Sequence, residues 1–170
     1  MPKGSNMMTM DYDCNLEADA QMYANLCRSS ASPDDQRPLW GENFYQIQEG
    51  MDPILAAGDA WWGEIYKNGI NQKMLFNKFF AEKEMSPTSF TQALKKDILV
   101  GTMAWANSYK IGCGVGDCTG TTGNTTVVCR YRAKGNRIGE YVYETGDPCT
   151  ACDYGCSPDG ILCYAPPNAP

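Results

Sequence analysis

The chain has 170 residues, with 14 basic and 20 acidic side chains, a formal charge of -6 and a hydrophobic share of 43%. That length suits one domain, or one domain with a small appendage, and the composition supports a packed core. The acidic balance excludes nucleic acid as the main partner. There are nine cysteines and no histidine. Without histidine, Ser-His-Asp and Cys-His catalysis, the ordinary His-containing zinc sites and any imidazole pH switch are removed. The cysteines point to an oxidising compartment, and their odd number leaves one without a partner in the chain.

Residues 1–10 show no basic region followed by an apolar run, so a secretory leader is absent or already removed. The cysteine content nonetheless requires export. The longest apolar stretch, Ile98 to Ala106, falls far short of the ~20 residues that span a bilayer. From Cys14 to Arg28 the residues Leu16, Ala20, Tyr23 and Cys27 recur on one helical face, with Asp13 or Asn15 as the cap. The polar, proline-bounded stretch Ser29 to Pro38 ends that helix, and Gly41 to Ile47 reads as a short extended or turn segment. Asp52-Pro53 starts a second helix, an acceptor at the cap followed by a residue that needs no donor. Its inner face carries Ile54, Ala57, Gly58, Trp61 and Ile65, and Asn68-Gly69 is its stop. A third helix is expected over Ser89 to Trp105, with Phe90, Leu94, Ile98 and Met103 or Ala104 inward. Beyond it the pattern turns to strands at Tyr109–Val115, Thr125–Arg132 and Tyr141–Glu144. Helices followed by strands predict an α+β fold with an antiparallel sheet covered by helices. The last residues form a cysteine-rich tail, and the expected division is 1–147 for the main domain and 148–170 for the tail.

Three ordered pieces then carry a resemblance: Gly41-Glu42-Asn43-Phe44; Met103-Ala104-Trp105 through Gly112-Cys113; and Val127-Val128-Cys129-Arg130-Tyr131 through Gly135-Asn136, followed by Tyr143-Glu144-Thr145-Gly146-Asp147-Pro148-Cys149. Together they resemble the CAP (SCP/TAPS) superfamily, in particular the secreted activation-associated or venom-allergen-like proteins of hookworm type, over roughly residues 8 to 163. The resemblance implies an α-β-α sandwich whose cleft usually holds two histidines and two glutamates. The glutamates fall on Glu42 and Glu64. One histidine position falls on Leu99, and the other falls in the loop around Ala31 to Asp34, where there is no imidazole. No metal or other cofactor is therefore expected, because two carboxylates make a poor zinc site. The resemblance also implies the bridges Cys27–Cys118 and Cys113–Cys129. Nothing at the front matches the family's His-Asn-x-x-Arg helix or the cysteine that often precedes it in nematode members. The expectation is that a front segment is missing from this chain and that Cys14 finds its partner there.

Glu42 and Glu64 are the candidate cleft residues. They read either as a paired-carboxylate site, with one pKa raised by the other's charge, or as a backbone-bonded Glu42 and a residual Glu64. Cys149, Cys152, Cys156 and Cys163 fit two disulfides better than a tetrathiolate zinc site or a redox-active Cys149-x-x-Cys152 pair. Arg130, Arg132 and Lys134 alternate into a basic strand face, suited to a receptor or glycosaminoglycan or, more commonly, to solvent opposite cross-strand acids. Asn124-Thr125-Thr126 is an N-glycosylation acceptor. The expected protein is a secreted, extracellular, non-enzymatic effector of a parasitic nematode. It would bind a host cell-surface or plasma protein and modulate immune or haemostatic responses. A sterol or fatty-acid carrier, with lipid held near Phe44, Trp61 and Met103, is the alternative, and a divergent hydrolase comes third.

Overall fold

The computed structural model of the chain describes residues 1–48, 51–92 and 104–167. In chain order it contains β1 (Asp11–Tyr12), α1 (Cys14–Asn25), β2 (Gly41–Ile47), α2 (Pro53–Asn68), β3 (Leu75–Phe76), α3 (Lys78–Glu82), α4 (Thr88–Gln92), β4 (Lys110–Cys118), β5 (Asn124–Arg132) and β6 (Glu140–Tyr141). A four-stranded sheet in the order β1-β4-β5-β2 is antiparallel except for the parallel β1–β4 pair. It lies between α1 and α2, and a two-stranded sheet pairs β3 with β6. The architecture is thus the expected α+β sandwich.

α1 begins where Asp13 Oδ1 accepts the amides of Asn15 at 2.9 Å and Leu16 at 3.1 Å, two of the donors that a helix start leaves open. Its buried residues are Leu16, Ala20 and Ala24. The helix is shorter than the sequence indicates, because Cys27 takes a positive φ of 52° and turns aside to its bridge with Cys118. What lets α1 lie against the sheet is a row of glycines on β4. A Cβ placed on Gly112 would stand 2.1 Å from Glu17 N, and one on Gly114 2.3 Å from Gln21 Cα. One on Gly116 would stand 2.3 Å from Ala24 O. Backbone therefore meets backbone, with Phe44, Tyr23 and Val128 closing the layer. Where β1 has ended, the Gln21 side chain reaches β4, accepting from Val115 N–H at 3.0 Å and donating to Val115 O at 2.7 Å.

On the opposite face α2 starts as the Asp52-Pro53 pair predicts, with Asp52 Oδ1 accepting from Ile54 and Leu55 amides. It buries Ala57, Gly58, Trp61 and Ile65, and Gly69 (φ 62°) ends it. Ala57 and Trp61 pack on Ile111, Val127, Cys129 and Tyr131. A second apolar cluster gathers Ile65, Met74, Phe76, Phe80, Phe90, Trp105 and Val142 beyond the end of α2.

Three segments depart from the sequence reading. The third helix starts as α4 at Thr88–Gln92, but Ala104 and Trp105 lie outside any helix. There the Ala106 amide donates to Val142 O at 2.8 Å, so the backbone is bonded across the chain rather than along it. Leu94, Ile98 and Met103 lie outside the described residues. The strand expected over Tyr141–Glu144 narrows to β6, and its continuation pairs singly, Val142 N–H to Met74 O and Ser5 N–H to Glu144 O. β3 and α3 occupy a stretch left unassigned by the sequence, because two and five residues carry too little periodicity to register.

Four disulfides close the chain: Cys27–Cys118, Cys113–Cys129, Cys149–Cys156 and Cys152–Cys163. Cys14 is exposed and unbridged. The tail is tied back to the front of the chain, with the Cys163 amide donating to Met7 O and the Ala151 amide to Ser5 O.

Candidate functional site

Glu42 and Arg130 are directly opposed in the β2–β5 register, so both side chains emerge on the sheet face that α1 covers. Neither is solvated: the Glu42 side chain is 0% exposed and that of Arg130 8%. Glu42 Oε1 accepts from the Ser32 amide at 2.7 Å, and Oε2 accepts from Ser32 Oγ at 2.8 Å and from Arg130 Nε at 3.0 Å. Arg130 also donates to Asp19 of α1, and its guanidinium lies 5.7 Å from the Tyr23 ring and 5.9 Å from that of Trp40. The loop that carries Ser32 is pinned by Arg37 Nε to Ser32 O at 3.2 Å, Arg37 to Asp34 at 3.1 Å and Lys134 to Asp34 at 2.7 Å.

Burial pushes the Glu42 carboxyl above its ordinary value, against the downward pull of the two Ser32 donors and Arg37. A second carboxylate is not among the causes. Glu64 belongs to another layer: from α2 its Oε2 accepts the amides of Ser89 at 2.9 Å and Phe90 at 3.0 Å, capping α4. The two glutamates are thus engaged separately, and the paired-carboxylate reading gives way to one ion-paired residue and one helix cap. Leu99 lies outside the described residues.

The donor set does not suit a zinc ion. There is no histidine in the chain, and among the described residues no group of three or more Cys, Asp or Glu is arranged to hold a metal. Around Glu42 the place of a cation is taken by the protein's own guanidinium. Ser32, within the loop where the resemblance puts a histidine, supplies hydrogen bonds to the carboxylate instead of a ligand. The basic strand face is also corrected: Arg130 is buried and twice ion-paired, and Lys134 is bound to Asp34, so these two are not a free cationic stripe.

Of the residues suggested as a lipid wall, Trp61 is core in the α2 layer and Phe44 is half-buried in the α1 layer, so these two do not line one groove. Trp61 is 2% exposed, and its Nε1 donates to Phe44 O at 3.2 Å; Met103 lies outside the described residues. A different cleft, of about 600 Å³, is lined by Met1, Pro2, Ile65, Gly69, Ile70, Gln72 and Met74. Asn124 opens β5, and its side-chain amide donates to Thr122 O at 3.2 Å across an exposed hairpin turn. The sequence did not single out Asp19 or Ser32, and it put Tyr23 on the face of the first helix without placing it or Trp40 on Arg130. Their signal is the cross-strand register Glu42–Arg130, which exists only once β2 and β5 are paired.

Comparison with known proteins agrees with this fold. The chain is 34% identical over 172 residues to "Ancylostoma secreted protein" of Ancylostoma caninum, covering 97% of this chain and 38% of that protein. It therefore spans well under half of that relative. It is 32% identical to "Hookworm platelet inhibitor 1" of the same organism, across 95% of this chain and 67% of that one. Among solved structures, BmVAL-1 superposes with a TM-score of 0.79 at 31% identity, over 98% of this chain and 81% of its own. The profile of the cysteine-rich secretory protein family, CAP, matches residues 3–131, and the chain belongs to that family.

Proposed function

We propose that the chain is a secreted, non-enzymatic effector of a parasitic nematode that binds a host cell-surface or plasma protein and modulates immune or haemostatic responses. The observation that carries this reading is the filled Glu42 site. Its carboxylate is saturated by Ser32 and Arg130, and no histidine stands near to activate a nucleophile, so chemistry in the cleft has no base to start from. Activity then falls to the surface. Similarity to a protein named for platelet inhibition makes haemostasis the first response to measure. Among the described residues no helix is long and apolar enough to cross a membrane, and four disulfides suit an extracellular site. In this reading residues 148–170 are a disulfide-rich appendage of a CAP domain over 1–147, and Asn124 is the glycan acceptor.

The test is saturable binding of labelled protein, made in a eukaryotic secretory pathway, to host platelets, leukocytes and serum proteins. Capture of one protein with a dose-dependent change in cell response is the expected result. Absence of saturable binding to every fraction, or turnover of an ester or peptide substrate, would overturn the reading. The carrier alternative is favoured by the 600 Å³ cleft beside Ile65, Ile70 and Met74. Lipid extraction and mass spectrometry decide it: co-purifying lipid in stoichiometric amount supports a carrier, and none, with no sterol binding on titration, excludes it.

A further inference from the structure

The run Arg130, Arg132, Lys134 distributes its charges unequally in the fold. Arg130 is sealed between Glu42 and Asp19, and Lys134 is held by Asp34. Arg132 makes no ion pair among the described residues, and it lines a cavity of about 210 Å³ together with Asp13, Asn15, Leu16, Asp19 and Trp40. The walls come from the first two turns of α1 and from the adjoining ends of β2 and β5. All three are fixed, by the Asp13 cap, by the Arg130–Asp19 ion pair and by the strand register.

The chemistry of the walls narrows the ligand. Trp40 has its indole nitrogen fully enclosed, so what it offers is apolar ring surface rather than a donor. Asp19 gives Oδ2 to Arg130 and is one-third exposed, the Asn15 amide is exposed, and the Arg132 fork is unspent among the described residues. The charges in and around the cavity cancel: Arg132, Arg130 and Lys110 stand against Asp13, Asp19 and Glu42. Among the described residues a polyanion has one unpaired cation to meet there, on a protein of net charge -6. An aromatic face, three planar polar side chains and local neutrality suit a sugar ring, whose C–H face packs on indole and whose vicinal hydroxyls match guanidinium, amide and carboxylate. We infer that this cavity is a subsite for an uncharged pyranose at the end of a host glycan. This rests on the host-surface reading above and names the chemistry of one contact within it.

The experiment is binding of the folded, disulfide-bonded protein to immobilised glycans ending in galactose, mannose or N-acetylglucosamine, beside sialylated glycans and heparin. The expected result is binding to a neutral class, weakened about tenfold or more by Arg132→Ala and by Trp40→Ala, and largely kept by Trp40→Phe. Because Trp40 also covers Arg130, Arg132→Ala and Asn15→Ala carry the test if Trp40→Ala does not fold; neither removes a side-chain bond made within the described residues. No binding to neutral glycans at millimolar concentration overturns the inference, as does binding to sialylated glycans or heparin alone. So does unchanged affinity in both Arg132→Ala and Asn15→Ala. Host-cell binding that persists after glycosidase treatment sinks the sugar site and leaves the effector reading standing. Absence of binding to untreated host cells and to every glycan sinks both.

Discussion

Replacing Arg130 with methionine is expected to cost about 3–5 kcal/mol at neutral pH, the range for breaking a buried ion pair by removing one partner. Methionine keeps most of the stem volume between Tyr23 and Trp40, so the loss is mainly electrostatic. Asp19, one-third exposed, can be rehydrated and adds little. Glu42, 0% exposed, is left with Ser32 and with Arg37 at 4.0 Å. The pH dependence follows from the raised pKa of Glu42. A carboxyl whose folded value lies above its unfolded one binds its proton more tightly when folded. Its contribution is therefore most favourable below the ordinary glutamate value and declines as pH rises through the raised folded value. Removing Arg130 raises that value further, so the deficit of the variant should shrink on acidification. Urea unfolding at neutral and mildly acid pH, on Arg130→Met, Glu42→Gln and the double variant, measures this directly. The double variant should recover part of the loss. A loss under about 1 kcal/mol, or one of the same size with Glu42→Gln in the background, would refute the buried pair.

Other expectations concern the frame that holds the site. Asp13→Ala should cost about 1 kcal/mol by removing the α1 cap. The hydrogen bonds to Leu16 and Asn15 hold the Asp13 carboxyl below its ordinary value, so its contribution is present above that value and fades as pH falls through the lowered one. Acid titration of thermal stability in wild type and variant checks both points. Gly114→Ala should destabilise by about 1–3 kcal/mol, since its Cβ would stand 2.3 Å from Gln21 backbone. Gly63→Ala, in α2 with nothing within 4 Å, should be stabilising by up to about 1 kcal/mol. Paired denaturation curves test the contrast in sign. Removing Cys27–Cys118, which closes a sequence separation of 91, should cost about 4–5 kcal/mol on the chain-entropy scale. Removing Cys113–Cys129, with a separation of 16, should cost about 3 kcal/mol. Equal losses in the two double-serine variants would show that loop length does not govern their contributions.

Elements with local signatures were legible in the chain. Asp52-Pro53, the apolar face of α2, the strands that became β4 and β5, and the short extended or turn segment at Gly41 to Ile47 all follow from neighbours in sequence. The Glu42 site was legible only by position. Alternation of Arg130, Arg132 and Lys134 marks one strand face, but it does not say whether that face meets water or a helix. The answer lies in Gly112, Gly114 and Gly116, which draw α1 onto the sheet, and in Asp19, 111 residues from Arg130 along the chain. Buried charge is decided by such distant pairings, and periodicity has no access to them. The bonding of Glu64 was illegible for the same reason, since its partners are the amides of Ser89 and Phe90, 25 and 26 residues further along.

The Gln21 contact with Val115 has a consequence for how copies of the chain behave toward one another. β1 covers β4 only as far as Lys110 and Ile111, so the donor and acceptor of Val115 would otherwise face outward as an invitation to a foreign strand. One carboxamide occupies both, imitating a peptide group at the open margin. A chain held by four cross-links cannot easily rearrange to hide such a margin, and here a single side chain covers it. Gln21→Ala is expected to open that margin to strand-on-strand association, read as concentration-dependent self-association by light scattering.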